Sequence, residues 1–414
     1  MRPESVKKPS SLLLSLLMLF LLPALLFSET TAEQYKTIDR LIIHGLKRTR
    51  PEVVERLLEP CIGLSADELD TGEVQTLLRE SGLFYETEVS LEYDDPASVS
   101  LVVSVQEKWT LIPIPLILGD KNGIAGGGTL IETNAFGLNH QAFLAGFFSM
   151  DRYTLFGSYM TPPGKRLPFG LFTMAAFSKG ESTITDGEED ELLSYDERSL
   201  TLMAGLRHDL SQLISLSAGF AYRDASVQDS PVASARMLPL SAEISIQKSD
   251  WNGVFLSRRL AELEGTWYIP LKGDSYLAVQ GECAWEQPLT QRLRLMLGAA
   301  AYRAEDAPLV FSEGPSAARV AILPGDFRSN SLAGTSWGIE GVFADFGAGM
   351  LSAFVSYQAA FAEDISGDPV FAQGSHFGLR CYLKKIAFPA LDMGAAWNAE
   401  SGIWNAAFSV GMRM

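Results

Sequence analysis

The chain has 414 residues and a formal net charge of −17, which argues against a nucleic-acid partner, because phosphate binding needs a basic surface. Mean hydropathy is only slightly positive, too low for a bundle of membrane helices, each of which needs about 20 nearly continuous apolar residues. Lys7 and Lys8 precede the one long apolar run, residues 12–27, and small and polar residues follow at 28–32. That order is the one a secretory signal peptide shows, assigned here to residues 1–32. The alternative is an uncleaved anchor helix, against which stand the shortness of the run and Pro23 within it. Cys61, Cys283 and Cys381 are widely spaced and imply neither a disulfide framework nor a zinc site.

Residues 36–108 read as a compact α+β unit. A first strand carries Leu41 and Ile43 and ends at Gly45 and Leu46, followed by a basic turn at 47–50. Pro51 opens a helix, where its missing N–H costs nothing, and Val53, Val54, Leu57 and Leu58 form its apolar face. Gly63 ends it. Ser65 and Glu68 are spaced as a capping box for a second helix bearing Leu69, Val74, Leu77 and Leu78, which Gly82 stops. Two strands follow, at 85–93 and 99–106, with Asp94, Asp95 and Pro96 turning between them.

From Trp109 to Met414 helical periodicity gives way to segments of about ten residues that alternate with period two, as strands of a membrane barrel do. Ala261, Leu263, Trp267 and Ile269 alternate with Glu262, Glu264 and Tyr268; Leu293, Leu295 and Leu297 alternate with Arg292 and Arg294. In the last segment Trp404, Ala406, Phe408 and Val410 alternate with Asn405 and Ser409. A soluble sandwich alternates in the same way. The export signal, the absence of helical periodicity over roughly 300 residues and a last strand at the chain's end favour a barrel. Turn signals give about 16 segments, the first at 110–118 and the last at 404–414, interrupted by a long acidic loop at 180–198 and a second long loop before 336. The expected fold is membrane all-β: a 16-stranded antiparallel transmembrane β-barrel over 109–414, preceded by one small β-α-α-β-β domain.

The stretch IIHGLKRTRPEVVERLLEP and the later SGLF at 81–84 resemble the POTRA domain of the BamA/TamA-like outer-membrane insertase superfamily, through the turn containing Gly45 and Leu46 and the stop before the second strand. GIAGGGTLIETNAFGLNHQ, residues 123–141, resembles the second barrel strand of that family and its following turn. LPGDFRSNSLAG, residues 323–334, resembles the motif of the sixth outer loop, which in the family folds back into the lumen. Gly325, Phe327, Ser329, Asn330 and Gly334 fit with one residue inserted. The family's arginine precedes its glycine; Pro324 holds that place here, and Arg328 is displaced, with Glu340 as its candidate lumen partner. Five strands fit between this loop and the end, as the family requires. Trp404 and Phe408 keep the outward aromatic positions of the closing strand, which ends in Met414 where an aromatic residue is commoner.

The resemblance implies residence in the bacterial outer membrane with the POTRA domain in the periplasm. It also implies a role in outer-membrane protein assembly, insertion or translocation. The POTRA domain would receive the client, partly by strand addition, and the seam between 110–118 and 404–414 would insert it. Implied partners are the lipid bilayer, unfolded outer-membrane protein clients or a dedicated secreted partner, and periplasmic accessory proteins. A different class of reading is a partner-dedicated secretion pore or channel with the POTRA domain as its dock; a third is a lipid-handling or structural barrel. A single POTRA domain points to a specialised relative of the main insertase.

Enzyme chemistry and cofactors are not expected. Gly334, Ser336 and Gly338 match the G-x-S-x-G pattern, but on a strand rather than a strand-to-helix elbow. The glycines at 123–128 lack the Lys-Ser/Thr of a phosphate loop. His44, His140, His208 and His376 form no metal spacing. The acidic run 187–191 reads as a solvated loop or, alternatively, a collector of Ca²⁺.

Overall fold

Gly45 and Pro51 set the shape of the N-terminal unit. The computed structural model describes residues 37–93, 98–120, 123–163, 168–228, 230–252, 255–347, 349–383 and 389–410; the expected signal peptide and the turn at 94–96 lie outside them. β1 (Thr37–His44), α1 (Pro51–Leu58), α2 (Thr71–Glu80), β2 (Phe84–Tyr93) and β3 (Ser98–Glu107) follow in chain order. The sheet order is β1-β3-β2, with β1 parallel and β2 antiparallel to the central β3. Val99, Leu101, Val103 and Val105 of β3 are buried in one cluster with Ile38, Val53, Val54, Leu58, Val74 and Leu78, which is what the helical and strand spacings require. At Gly45 φ is +89°, and a Cβ there would stand 2.0 Å from the Val105 carbonyl oxygen, so only glycine makes this turn.

The second helix starts later than the capping-box spacing predicts. Asp70 is its N-cap, with Oδ1 accepting from Gly72 N at 2.7 Å. Ser65 is instead held in a bridge with Thr37, which fixes it as part of the turn leading away from α1.

Sixteen antiparallel strands follow, each beside its successor, with the last beside the first in a closed barrel. They are β4 (Leu111–Asp120), β5 (Gly123–Ala135), β6 (His140–Phe148), β7 (Arg152–Met160), β8 (Gly170–Thr185), β9 (Glu191–Asp209), β10 (Ile214–Gln228) and β11 (Ala235–Asn252). The second half is β12 (Phe255–Pro270), β13 (Tyr276–Thr290), β14 (Leu293–Ala304), β15 (Ser331–Phe346), β16 (Gly349–Glu363), β17 (Pro369–Leu383), β18 (Pro389–Asn398) and β19 (Trp404–Val410). Period-two alternation sorts the faces. On β12, Leu263 and Trp267 are exposed outward while Glu262, Glu264 and Thr266 face the lumen.

The long acidic loop expected at 180–198 is not a loop. β8 and β9 stay paired from Gly180 opposite Glu197 out to Thr185 opposite Glu191, leaving only 186–190 as the turn. Polar residues on both faces hid the strand, because a hairpin that projects beyond an apolar belt has no reason to alternate. Asp186 closes that turn by accepting from the backbone N–H of Glu188 and Asp190. Of the two predicted long loops only the second, 305–330, is real.

Candidate functional site

The wall of the barrel is uneven. β11 and β12 pair over sixteen positions, Met237 opposite Pro270 through Asn252 opposite Phe255. Among the described residues β4 and β19 pair over three: Gly119 with Phe408, Leu118 with Ser409 and Ile117 with Val410. Among the described residues Trp404 to Ala407 have no register partner on β4, which ends one residue beyond Gly119. Pro113 and Pro115 remove two ladder donors from β4, a pattern confined to edge strands and strand starts. Trp404 stands exposed at the start of the closing strand, its ring 6.3 Å from Trp397. Phe408 occupies the position opposite Gly119; residues 411–414 of the predicted seam lie outside the described residues.

Residues 305–330 fold into the lumen as an inner strap containing two short 3₁₀ turns, Leu309–Phe311 and Pro315–Ala318. Ile322, Leu323 and Phe327 are almost wholly inaccessible and belong to one cluster with Tyr276, Tyr302, Ala360, Ala372 and Ala396 of the wall. Gly334 on β15 makes the close approach possible: a Cβ there would lie 2.4 Å from the Ala318 carbonyl oxygen. Three wall strands hold the strap by polar contacts. Ala321 N donates to Gln358 Oε1 of β16 at 2.8 Å. Arg319 pairs with Glu282 of β13 at 2.5 Å. Asn405 Nδ2 of β19 donates to the carbonyl oxygens of Leu323 at 3.0 Å and Ala321 at 3.3 Å. The tip also meets the long hairpin, where Thr185 N donates to the Asp326 carbonyl at 3.2 Å.

Arg328 does not reach Glu340. Its Nη1 donates to the carbonyls of Gly325 and Phe327, both at 2.9 Å, and so braces the turn of its own loop. Glu340 lies nine residues down β15 from Ser331, roughly 30 Å along an extended strand, beyond any arginine's reach.

Glu340 is instead the centre of a buried ionic belt. It is inaccessible and accepts from Arg294 Nη2 at 2.7 Å, Arg380 Nη1 at 2.7 Å, Tyr382 Oη at 2.8 Å and Ser352 Oγ at 2.5 Å. Arg294 also pairs with Glu286, and Arg380 with Asp392. Charges therefore alternate across the wall as Glu286, Arg294, Glu340, Arg380, Asp392, tying β13 through β18. Full pairing is what makes such burial tolerable.

The N-terminal unit is clasped to the barrel near Gly45 and Leu46. The Glu107 carboxylate accepts from the backbone N–H of Thr49 at 2.7 Å, and from those of Arg48 and Lys47. Partial burial would raise this carboxyl, but those three donors outweigh it and hold it below the usual carboxylate range. The basic turn then meets the β5–β6 turn: Arg50 N donates to Gly137 O at 2.8 Å, Asn134 Nδ2 to Thr49 Oγ1 at 2.9 Å, and Arg48 pairs with Glu132 at 3.1 Å.

Ser336 sits inside β15 opposite Gln358, in no elbow, and the four histidines lie on β1, β6, β9 and β17. Among the described residues no group of His, Cys, Asp and Glu could hold a metal. Gln358 and Asn405 carry no signal in one dimension, since their partners lie 37 and 82 residues away. Pro113 and Pro115 did carry one, an edge-strand signature inside an apolar run.

Closed sixteen-strand wall, inward strap and clasped β-α-α-β-β unit together define a two-domain β-barrel protein. The particular fold is one seen in solved BamA and CdiB barrels. It is similar to a BamA from Haemophilus ducreyi lacking POTRA domains 1–3, at 13% identity and a TM-score of 0.66 over 91% of this chain and 84% of that one. CdiB from Acinetobacter baumannii is similar at 13% identity and a TM-score of 0.66, covering 92% of this chain and 74% of that one. CdiB from Escherichia coli is similar at 14% identity and 0.60, covering 94% of each chain. The sequence matches no protein-family profile and no curated protein.

Proposed function

We propose that this chain is an outer-membrane protein assembly or translocation factor. The N-terminal POTRA-like domain faces the periplasm and receives the client; the β4–β19 seam delivers it. The observation that carries this reading is the seam: among the described residues, three paired positions beside ladders of up to sixteen, with two prolines on one edge and Trp404 to Ala407 without a β4 register partner on the other. An edge with unsatisfied N–H and C=O groups templates an incoming strand, and pairing with it supplies the free energy without a nucleotide. The open edges of β1 and β2 offer the same chemistry to a client in the periplasm. The basic turn and the β5–β6 turn fix the domain at the barrel end where β4 begins.

Deleting residues 36–108 while keeping the signal peptide and barrel tests this. Folded outer-membrane proteins, quantified by unboiled electrophoresis of purified membranes, are expected to fall. Unchanged levels overturn the reading. Planar-bilayer conductance with a single co-purifying secreted protein would assign a dedicated pore instead.

A further inference from the structure

One part of the outer wall is neither a ladder edge nor an ordinary apolar surface. Register fixes which side it lies on. Ala225 is packed against the inner strap, and the positions paired across from it in turn are Ser199, Ser178, Thr154, Phe147 and Gly127, so these face the lumen. The neighbouring positions therefore face outward. Among them Gly128, Gly146 and Gly157 leave the wall thin, and Phe148, Leu155 and Phe177 rise around the gap. The result is a groove of about 950 Å³ on the outer face of β4 to β9, beginning beside the seam strand β4. That is the size of a small-molecule site, roughly 300–1,000 Å³.

The rim of the groove carries a second feature. Lys179 and Arg198 are directly opposite each other on β8 and β9, one outward row beyond Phe177, and both are exposed. Arg198 lies over the Phe177 ring, 5.9 Å from its centroid. Neither cation forms an ion pair among the described residues. Like charges facing each other across a ladder repel, so an anion seated between Lys179 and Arg198 would be favoured. Cations on the lipid-facing side are tolerated at the interface and costly at mid-membrane, which puts this row at headgroup depth and the groove below it at acyl depth. Glu181 and Asp196, one row further out, bound the cationic band.

We propose that the groove and its rim bind a phosphorylated, multiply acylated glycolipid of the outward leaflet, with an acyl chain over Gly128 and Gly146 and a phosphate between Lys179 and Arg198. A guanidinium and an ammonium together match a phosphate, and a basic pocket above an apolar slot is the general form of headgroup recognition. The choice of leaflet rests on the orientation proposed above, since the β8–β9 turn is at the end away from the N-terminal domain. Lipid held there would border the seam on its β4 side.

The test uses the full chain in detergent, titrated with bis-phosphorylated lipid A and read by native mass spectrometry. Lys179→Gln with Arg198→Gln is expected to weaken retention about tenfold, the scale of one lost charge-assisted hydrogen bond. Gly128→Leu, whose Cβ meets only the Ile114 carbonyl oxygen at 3.6 Å, fills the groove and is expected to weaken retention as much. An unchanged heat-modifiable shift in each variant certifies the barrel. Wild-type retention by both variants overturns the proposal, as does equal retention of dephosphorylated lipid A or of phosphatidylglycerol. Client levels in cells, which test the assembly function, play no part in this readout.

Discussion

Two halves of the same wall are built on different principles. The far wall, β8 to β17, consists of strands of 12 to 19 residues, several long enough to project beyond an apolar belt that needs about 9–11. Much of it is cross-tied by the ionic belt centred on Glu340 and by the inner strap. On the seam wall, β18, β19 and β4 to β7, the strands β4 to β7 have 9 to 13 residues, and among the described residues the β4–β19 junction has three register pairs. Stability is concentrated away from the place where opening is proposed, so local opening need not approach the cost of global unfolding.

The largest effect is expected from removing that asymmetry. In a background lacking Cys61, Cys283 and Cys381, Leu118→Cys with Ser409→Cys bridges the seam, and oxidation should abolish client assembly, with recovery on reduction. The matching pair Ile244→Cys with Leu263→Cys on the far wall should leave assembly intact. Equal behaviour of the two bridges would remove the distinction between the walls. Next, Glu340→Ala leaves Arg294 and Arg380 buried without their shared partner and should cost about 3–5 kcal/mol, seen as a large fall in the temperature at which the unboiled form is lost. Gly334→Val drives a side chain into the Ala318 carbonyl and should cost about 1–3 kcal/mol, with residues 305–330 becoming sensitive to protease. Asn405→Leu loses two hydrogen bonds, each worth about 0.5–1.5 kcal/mol, and should speed amide exchange in β19 while leaving β11 and β12 unchanged.

The smallest effect concerns the clasp. Glu107 has its carboxyl held below the ordinary range, so its contribution is complete above the unfolded Glu value of about 4.3 and is lost as pH falls through the lower folded value. Amide protection at Lys47, Arg48 and Thr49 should therefore drop on acidification, and Glu107→Gln should remove that pH dependence.

Sequence reasoning reached the architecture because alternation and turn residues are local. Trp267 outward and Glu264 inward follow from period two alone, and Gly45 from a turn that admits no Cβ. It failed where the partner is distant. Arg328 sits in the same motif as the missing arginine, yet the strap is held by Gln358, Asn405 and Arg319, whose contacts cross the lumen. The hairpin at 180–198 is silent in the sequence for the opposite reason: outside an apolar belt, strand pairing leaves no hydrophobic trace.

The anchoring of the strap has a consequence for permeability. Its contacts with Glu282, Gln358 and the Gly334 surface all lie on the far wall, and among the described residues only Asn405 belongs to the closing strand. If β19 swings away, the cell gives up one tether while the plug stays seated. Sideways access to the bilayer and leakage of ions through the lumen are thus governed by separate parts, and a cell could open the first without losing its osmotic seal.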